Sequence, residues 1–365
     1  MSRKTVLYDK HTALGGRLVD FHGWVLPVQY EGILAEHRHC RAAACLFDTC
    51  HMGQILICTS CPEAISLVLT QDAPGLQVGK AAYGFLLNEA GGIIDDTMLM
   101  RLGEKEFLLV VNAGTAEGDY RWVGEHLKGA AEMVNRSAEG WAKIDLQGPQ
   151  AAKVLSPLTD VDLTQLGYFR VTSAKVCGKD CILSRTGYTG ELGYELFAPG
   201  DAIVEMFDAI LSDGRARPAG LGARDSLRLE MCYPLHGQDI DPETNPIEAD
   251  LGFFLKSQHD HIGSQAVRRI AAAGPGRRLV AFACQTRRRC STGDRIMHQG
   301  RQVGTVTSGA FSPSLEVSIG MGYVSADLAG PGQDLEIATD RASIPAKLAE
   351  KPLHKQGTCR TKQLL

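Results

Sequence analysis

Residues 91–112 read Gly91-Gly-Ile-Ile-Asp95-Asp96-Thr-Met-Leu-Met100, then Arg-Leu-Gly-Glu-Lys-Glu, and finally Phe107-Leu-Leu-Val-Val-Asn112. The pattern predicts two strands joined by a hairpin turn centred on Glu104. In that register Asp96 faces Asn112, and methionines face aliphatic side chains roughly 5 Å away (Met98 with Val110, Met100 with Leu108). One sheet face would then carry an apolar floor with a carboxylate and an amide at its open end, as in a pocket for a polar heterocycle. The alternative is that Asp95 and Asp96 cap a strand end in solvent, and a slip of one residue would exchange the two carboxylates.

The hairpin belongs to a mixed succession of strands and helices. We predict strands at 53–58, 83–87, 93–100 and 107–111, with helices at 64–69 and 115–127. This order is typical of a small α+β domain of the split βαβ type, inserted into the chain. A second segment resumes near Trp141 and contains a helix at 202–211. After a Gly- and Pro-containing linker at 271–277, short strands at 279–284, 301–308, 317–324 and 335–339 predict a small β-barrel or sandwich.

The composition is that of an ordinary soluble globular protein, with 44% hydrophobic and 22% charged residues. The net charge of -4 provides no overall field that would attract nucleic acid or anionic lipid. The first residues are charged rather than apolar, and no stretch approaches the roughly 20 apolar residues of a membrane span. We therefore expect a cytoplasmic protein that binds neither nucleic acid nor membranes.

The chain has 11 cysteines, and their distribution argues against a metal site. A structural zinc site usually needs two chelating pairs. The two close pairs, Cys58 with Cys61 and Cys177 with Cys181, are far apart along the chain, and the spacing of the second is looser. We expect reduced thiols and no bound metal.

Two further segments carry candidate ligand contacts. A glycine-rich turn, Arg185-Thr-Gly-Tyr-Thr-Gly-Glu-Leu-Gly-Tyr-Glu195-Leu-Phe197, leads into a strand in which Glu195 shares a face with Phe197. Glu195 is either an exposed strand residue, which the pattern slightly favours, or a bidentate acceptor for a guanidine-like ligand edge. Arg224 and Arg228 lie four residues apart on a predicted helix, and each could form an internal salt bridge or bind a ligand.

The strongest charge asymmetry lies between Arg268 and Arg301. This span holds nine arginines and a single acid, Asp294, and therefore carries a net charge of +8. Such a run indicates either a docking surface for an acidic partner or a solvated basic face. Aromatic residues are not interleaved with the arginines, so nucleic acid is the weaker interpretation.

Several ordered motifs together resemble the glycine cleavage system T-protein family, the tetrahydrofolate-dependent aminomethyltransferases. The resemblance extends to about Lys351 and depends on the following segments: Asp20-Phe-His-Gly-Trp24, Phe47-Asp-Thr-Cys-His-Met-Gly53, Gly91-Gly-Ile-Ile-Asp-Asp96, Leu146-Gln-Gly-Pro149, Thr186-Gly-Tyr-Thr-Gly-Glu191, Gly222-Ala-Arg-Asp-Ser-Leu-Arg-Leu-Glu230 and Thr305-Val-Thr-Ser-Gly309.

The resemblance implies an α+β fold arranged as a three-domain cloverleaf. The implied domains are a discontinuous folate-binding domain (1–50 plus 138–270), an inserted ferredoxin-like domain (51–137) and a C-terminal β-barrel or jelly-roll-like domain (277–355). Residues 356–365 form a tail. The family motifs further imply that Asp96 is the key acidic residue. They imply that folate is bound by Tyr83, Val110, Asn112, Tyr168, Tyr188, Glu195 and Arg224, with Glu195 at the pterin edge.

The implied reaction transfers a methylene group from the aminomethylated lipoyl arm of H-protein to tetrahydrofolate and releases ammonia. We expect tetrahydrofolate as the acceptor, no metal, and H-protein docking through some of Arg287, Arg288 and Arg289. Two alternatives stay open: a folate-dependent demethylase of a small methylated amine or sulfur compound, and a non-catalytic folate-binding protein.

The sequence departs from the family pattern in two places. Cys50 replaces the serine that the family usually has, which is a small change. The end of the chain, from Lys351 onward, lacks the aromatic residue that usually follows the proline. The contribution of this segment to an active site is therefore open.

Overall fold

A computed structural model describes residues 2–255 and 259–362 of the chain. It divides into two compact units. Unit one comprises Met1–Gly84, Thr97–Asp225 and Gly357–Leu365, and unit two comprises Phe85–Asp96 and Ser226–Gln356. The last three residues of the predicted tail, 363–365, lie outside the described residues. In the part of the chain that is described, no helix is long and apolar enough to cross a membrane.

The first fifty residues form a three-stranded sheet of order β1-β3-β2, two helices and one strand of a larger sheet. Their elements are β1 (Arg3–Lys4), α1 (Tyr8–Ala13), β2 (Arg17–Phe21), β3 (Trp24–Gln29), α2 (Ile33–Ala42) and β4 (Ala44–Asp48).

The next segment confirms the predicted succession of strands and helices. Its elements are β5 (Gly53–Cys58), α3 (Pro62–Val68), β6 (Ala81–Leu87), β7 (Ile93–Arg101), β8 (Glu106–Val111), α4 (Ala116–Leu127) and β9 (Glu132–Asn135). They form a five-stranded sheet of order β6-β7-β8-β5-β9. The predicted hairpin register is correct, because Met98 pairs with Val110 and Met100 pairs with Leu108.

The third segment completes a six-stranded sheet of order β11-β12-β13-β10-β4-β14. Its elements are β10 (Trp141–Gln147), α5 (Ala151–Leu155), a 3₁₀ turn (Ser156–Leu158), β11 (Val171–Val176), β12 (Lys179–Ser184), β13 (Gly193–Pro199), α6 (Gly200–Ser212), β14 (Ala216–Ala219) and α7 (Leu221–Glu230).

Strand alternation gives this six-stranded sheet one apolar face and one polar face. Along β10, Ile144 and Leu146 belong to a buried apolar cluster that also contains Ile203 and Phe207 of α6. Burial of each such side chain contributes about 1.5–3 kcal/mol. Because successive side chains point to opposite faces, Lys143 and Asp145 lie on the other side of the same strand.

The C-terminal strands close into a barrel of order β15-β18-β17-β16-β19-β20, as the turn-rich pattern predicts. The elements of unit two after Gly252 are a 3₁₀ turn (Gly252–Phe254), α8 (Ser264–Ala273), β15 (Arg277–Cys284), β16 (Arg295–His298), β17 (Arg301–Ser312), β18 (Val317–Ser325), a 3₁₀ turn (Ala326–Leu328), β19 (Asp334–Ala338) and β20 (Ser343–Ala349).

The predicted α+β class with a C-terminal barrel is therefore confirmed. Two barrel strands, β16 and β20, were not predicted. Strand β16 has only four residues, and β20 contains Pro345, although its Ile344, Ala346 and Leu348 alternate with exposed residues. The linker prediction was wrong for its first three residues and its last one. Helix α8 continues through Ala273 and ends at Gly274, whose φ is 79°, and β15 begins at Arg277. The division into three domains stays a prediction.

Candidate functional site

The polar face of the six-stranded sheet in unit one carries opposed charged and aromatic side chains. Strands β10 and β13 are antiparallel, and their register places Asp145 opposite Glu195 and Lys143 opposite Phe197. Arg224, on the first turns of α7, reaches the same face. We refer to Lys143, Asp145, Glu195 and Arg224 as the ionic cluster.

Asp145 is the centre of the ionic cluster. Its Oδ1 accepts hydrogen bonds from Lys143 Nζ at 2.5 Å and from Thr49 Oγ1 at 2.9 Å. Its Oδ2 accepts one from Arg224 Nη1 at 2.9 Å. Lys143 Nζ also lies 3.3 Å from Glu195 Oε2. The side chains of Lys143 and Asp145 are fully buried, whereas those of Glu195 and Arg224 are 13% and 15% exposed.

The two carboxylates of the cluster differ in their ionisation. Burial raises the pKa of Asp145, but Lys143, Arg224 and the hydrogen bond from Lys143 outweigh it, so the net shift is downward. Burial also raises the pKa of Glu195, and there Lys143 and Arg224 only partly compensate. Asp145 is therefore stabilised as an anion. Of the two carboxylates, Glu195 is the one whose charged form an additional hydrogen-bond donor would stabilise more.

The glycine-rich turn before β13 is held beside this cluster by Gln147. Its Nε2 donates to Thr186 O at 3.2 Å, and its Oε1 accepts from Thr189 Oγ1 at 3.0 Å. A Cβ atom at Gly187 would lie only 1.9 Å from Gln147 Oε1, which explains the glycine there. The turn presents Tyr188, whose ring lies 4.9 Å below the Arg224 guanidinium.

The C-terminal tail binds to the other side of this turn. Thr358 N donates to Glu191 Oε2 at 3.2 Å, its hydroxyl also donates to Glu191, and Cys359 N donates to Gly190 O at 3.0 Å. Arg185 Nη2 donates to Thr361 O at 2.5 Å. The divergent tail thus supports the loop that carries Tyr188.

An apolar cluster adjoins the charged residues. It joins Val110 and Met100 of the five-stranded sheet to Phe197 of the six-stranded sheet. The ring of Phe197 lies 5.7 Å from Lys143 Nζ, so the ammonium has an aromatic neighbour as well as its carboxylates. A ligand here would meet both charged and apolar surface.

All seven of the predicted folate residues belong to unit one. Val110 is buried, and the others are half-buried: Tyr83, Asn112, Tyr168, Tyr188, Glu195 and Arg224. The contacts bring Arg224 together with Tyr188, and Val110 together with Phe197. The slight preference for an exposed Glu195 was wrong, because its side chain is only 13% exposed and pairs with the buried Lys143.

The adjacent aspartates at the start of β7 belong to unit two. Asp96 is half-buried, whereas Asp95 is completely buried and its Oδ1 lies 3.8 Å from His236 Nδ1. The alternative that both carboxylates cap a strand in solvent is therefore wrong for Asp95. Residues 85–96 pack on residues 241–244 of the same unit, where Ile93 N donates to Thr244 O at 2.9 Å.

The predicted docking arginines also belong to unit two. Arg287, Arg288 and Arg289 are exposed in the loop between β15 and β16. Arg287 lies 3.7 Å from Glu316 and 5.3 Å from the Phe311 ring centroid. Elsewhere in the basic span, Arg268 pairs with Asp260 at 2.6 Å. Neighbouring acids therefore neutralise part of the +8 charge.

Sequence reasoning missed Lys143, Asp145 and Thr49. The available signal was the alternation in Trp141-Ala-Lys-Ile-Asp-Leu-Gln147, where polar residues occupy every second position. That pattern normally indicates a solvent-facing side of a strand. Only the packing of the Thr49 loop and α7 over this face buries the charges.

The loop after β4 carries the unusual Cys50. Its Sγ donates to Lys143 O at 3.2 Å, and burial raises the pKa of this thiol well above its ordinary value. The next residue, His51, is buried against the ring of Phe21, and burial lowers its pKa to about 4. Its Nδ1 meets no hydrogen-bond partner among the described residues.

In residues 2–255 and 259–362, we find no group of three or more His, Cys, Asp or Glu side chains that could hold a metal ion. The absence of a metal in the functional protein stays a prediction.

Comparisons with known proteins place the chain among close relatives. The model of the GCVT N-terminal domain matches residues 7–259, and the model of the glycine cleavage T-protein C-terminal barrel domain matches residues 277–355. An aminomethyltransferase from Halothermothrix orenii is 41% identical over 96% of this chain and 99% of its own length. One from Listeria monocytogenes is 38% identical over 97% and 98%. The crystal structure of glycine cleavage system aminomethyltransferase T from Bartonella henselae superposes with a TM-score of 0.93 at 34% identity, covering 98% of this chain and 99% of that one.

Proposed function

Since the chain belongs to the glycine cleavage T-protein family and is an aminomethyltransferase, we propose that its one-carbon acceptor is tetrahydrofolate and its donor is aminomethylated, lipoylated H-protein. The bonds from the methylene carbon to the lipoyl sulfur and to the amine nitrogen break, and the carbon forms bonds to two folate nitrogens. The two protons that these nitrogens lose pass to the lipoyl thiolate and to the leaving ammonia. The products are methylenetetrahydrofolate and the dihydrolipoyl arm.

The folate proposal rests on the burial and pairing of Glu195. It is a largely buried carboxylate at the edge of the ionic cluster, and its Oε2 contacts Lys143 only at 3.3 Å. The pterin ring offers adjacent N–H donors, which a carboxylate accepts in a bidentate manner. Such donors would supply the hydrogen bonds that this buried anion needs.

The surrounding residues fit a flat, partly polar ring. We propose that the folate site is lined by Tyr83, Val110, Asn112, Tyr168 and Tyr188. We also propose that Arg224 binds folate, with the Arg224 guanidinium held by Asp145 and Tyr188. Aromatic and aliphatic side chains would exclude water from the pterin, and the amide and carboxylate would orient it.

We propose Asp96 as the catalytic residue. As the carbon–sulfur bond breaks, the aminomethyl carbon becomes iminium-like and is attacked by a folate nitrogen, after which ammonia leaves. A carboxylate can stabilise the positive charge and relay a proton to the leaving ammonia. Tetrahydrofolate supplies the accepting nitrogen, so this chain's residues need only bind, orient and handle protons.

We further propose that the carrier docks through Arg287, Arg288 and Arg289, and that the protein works in the cytoplasm without binding nucleic acid or membranes. Exposed guanidinium groups suit an acidic protein surface, since complementary charge raises the rate of encounter.

The deciding experiment measures ammonia release from aminomethylated H-protein with and without tetrahydrofolate. We expect fast release only when both are present. The relatives above are all named aminomethyltransferases, so the demethylase alternative is not favoured. Turnover of free methylated amines or sulfur compounds without H-protein would reinstate it, and folate binding without turnover of either donor would indicate a non-catalytic folate-binding protein.

A further inference from the structure

Lys143 is a buried cation to which the proposed reaction assigns no role. Its side chain is 1% exposed, and Nζ contacts Asp145 at 2.5 Å, Glu195 at 3.3 Å and Thr49 Oγ1 at 3.3 Å. A buried charge is costly unless it is paired and hydrogen-bonded. Lys143 meets this condition only because two carboxylates share it.

The ionic cluster is balanced in charge but not in hydrogen bonds. It contains two cations, Lys143 and Arg224, and two carboxylates. Asp145 accepts three hydrogen bonds, from Lys143, Thr49 and Arg224. Within residues 2–255 and 259–362, Glu195 forms one ion pair, the longer contact of its Oε2 with Lys143. Lys143 is therefore the cation that lies directly against the proposed pterin-binding carboxylate.

We propose that Lys143 is a positioning residue for the folate site: it keeps Glu195 ionised and fixes one carboxylate oxygen, so that the carboxylate meets the pterin N–H donors. The inference rests on the proposed folate function. A protonated carboxyl group would present an O–H donor to the donors of the pterin and would lose the bidentate contact.

Three charged groups of the described residues act on Glu195. Lys143 and Asp145 face it from β10, and Arg224 faces it from α7. Glu195 pairs in register with Ser184 of β12, which is uncharged. His51, in the loop after β4, is neutral around pH 7 because burial lowers its pKa to about 4. Removal of Lys143 would leave the repulsion from Asp145 opposed only by Arg224, so Glu195 would take up a proton at a higher pH.

The test uses Lys143→Met, which keeps the length of the side chain and removes its charge. The dissociation constant of 5-formyltetrahydrofolate is measured by calorimetry from pH 6 to pH 9.5 on the full-length protein. We expect the variant to bind about tenfold more weakly at pH 7, and to recover as the pH rises and Glu195 ionises, since one pKa unit corresponds to a factor of ten. Lys143→Arg restores a cation and should restore the pH profile of the natural protein.

A loss of affinity that is the same at every pH would overturn the proposal, because a merely structural role predicts no pH dependence. If Lys143→Met does not fold, the double variant Lys143→Met with Asp145→Asn is compared with Asp145→Asn alone. The loss of repulsion from Asp145 is then common to both proteins, and the effect of Lys143 on the pH dependence is still measured. In a Glu195→Gln background, the Lys143 substitution should add no pH dependence. If the natural protein fails to bind 5-formyltetrahydrofolate, or Glu195→Gln binds it normally, the proposed folate function fails and the role of Lys143 fails with it.

Discussion

Arg224 and Arg228 lie one helical turn apart on α7, and their environments differ. The side chain of Arg228 is 1% exposed, and its guanidinium donates to Asp239 Oδ2 at 2.7 Å, Ser308 Oγ at 2.9 Å and Tyr233 O at 3.1 Å. The guanidinium of Arg224 donates to Asp145 at 2.9 Å, lies over the Tyr188 ring and stays 15% exposed.

Carboxylates in the networks around the two arginines differ in the same way. Asp239 also accepts hydrogen bonds from Thr307 Oγ1 at 2.5 Å, Ser308 Oγ at 2.7 Å and Leu235 N at 3.0 Å. Glu195, at the edge of the ionic cluster, forms one ion pair in the described part of the chain, with Lys143 at 3.3 Å. A network whose groups are all satisfied serves to hold the fold together, whereas a partly open one retains hydrogen-bonding capacity for a ligand.

The largest expected effect is a difference in the free energy of unfolding between variants of the two arginines. Arg228→Met leaves Asp239 as a buried uncompensated charge and should lower the free energy of unfolding by about 3–5 kcal/mol. Arg224→Met should cost only about 1–2 kcal/mol, because Asp145 keeps Lys143 and Thr49, as in the loss of a single hydrogen-bonded partner. Urea unfolding of both variants measures the difference. Equal losses would remove the distinction between a closed and an open network.

The buried His51 allows a test of how protonation of a buried imidazole changes the free energy of unfolding. Its pKa is lowered to about 4 in the fold, whereas an unfolded histidine titrates near 6.5. The unfolded state therefore binds more protons between these values, and the folded state should lose about 3 kcal/mol as the pH falls from above 6.5 to 4.

His51→Asn should remove that loss, and the exposed His126→Asn should not. Thermal unfolding followed from pH 7 to pH 4 gives the comparison. The buried Asp48 and Asp145, whose pKa values are lowered in the fold, lose stabilisation mainly as the pH falls below about 5, and this loss is common to the natural protein and both variants. An unchanged pH profile in His51→Asn would contradict the assignment.

The pair Asp95 and Asp96 extends the contrast to unit two. Asp96→Asn should lower kcat by about 100-fold and leave folate affinity within about threefold, as expected for loss of a general acid–base group. Asp95 is buried beside His236, so Asp95→Asn should instead lower stability. Steady-state kinetics normalised to folded enzyme separates the two. If Asp95→Asn lowers kcat of the folded enzyme as much, Asp96 is not the catalytic residue.

Glu195→Gln tests the open end of the ionic cluster. One acceptor oxygen becomes a donor, so the KM for tetrahydrofolate should rise about tenfold with kcat nearly unchanged, because the contact exists in ground and transition states alike. The exposed Glu205→Gln on α6, which loses only its contact with Lys179, should change neither constant. A fall in kcat with constant KM would assign Glu195 to chemistry rather than binding.

The exposed arginines should give the smallest effects. Each of Arg288→Ser and Arg289→Ser should weaken H-protein binding by about 0.2–1 kcal/mol, as for other exposed charges. The KM for H-protein should rise with salt as the Debye length falls below about 8 Å. Arg268→Ser, from the same basic span but paired with Asp260, is the matched control. A KM independent of salt would remove this docking surface.

Local patterns in the sequence were sufficient for much of the architecture. The hairpin register follows from its turn, because strand pairing near a tight turn is set by that turn. Four barrel strands were also predicted, whereas the short β16 and the proline-containing β20 were missed, although β20 alternates between buried and exposed residues. In β10, the alternation of Lys143 and Asp145 with apolar residues resembles the solvent-facing side of a strand.

The order of motifs along the chain was enough to identify the family, the α+β class and the residues proposed to bind folate, because those properties depend on residue type and spacing. The burial and pairing of Lys143, Asp145 and Arg224 depend instead on segments brought together from distant parts of the chain: residues 49, 143–145, 195 and 224. Burial and pairing control whether a charged side chain is solvated, paired or poised for a ligand, and these are properties of packing. For that reason the sequence pattern slightly favours an exposed Glu195, whereas the fold places Glu195 in a buried ionic cluster.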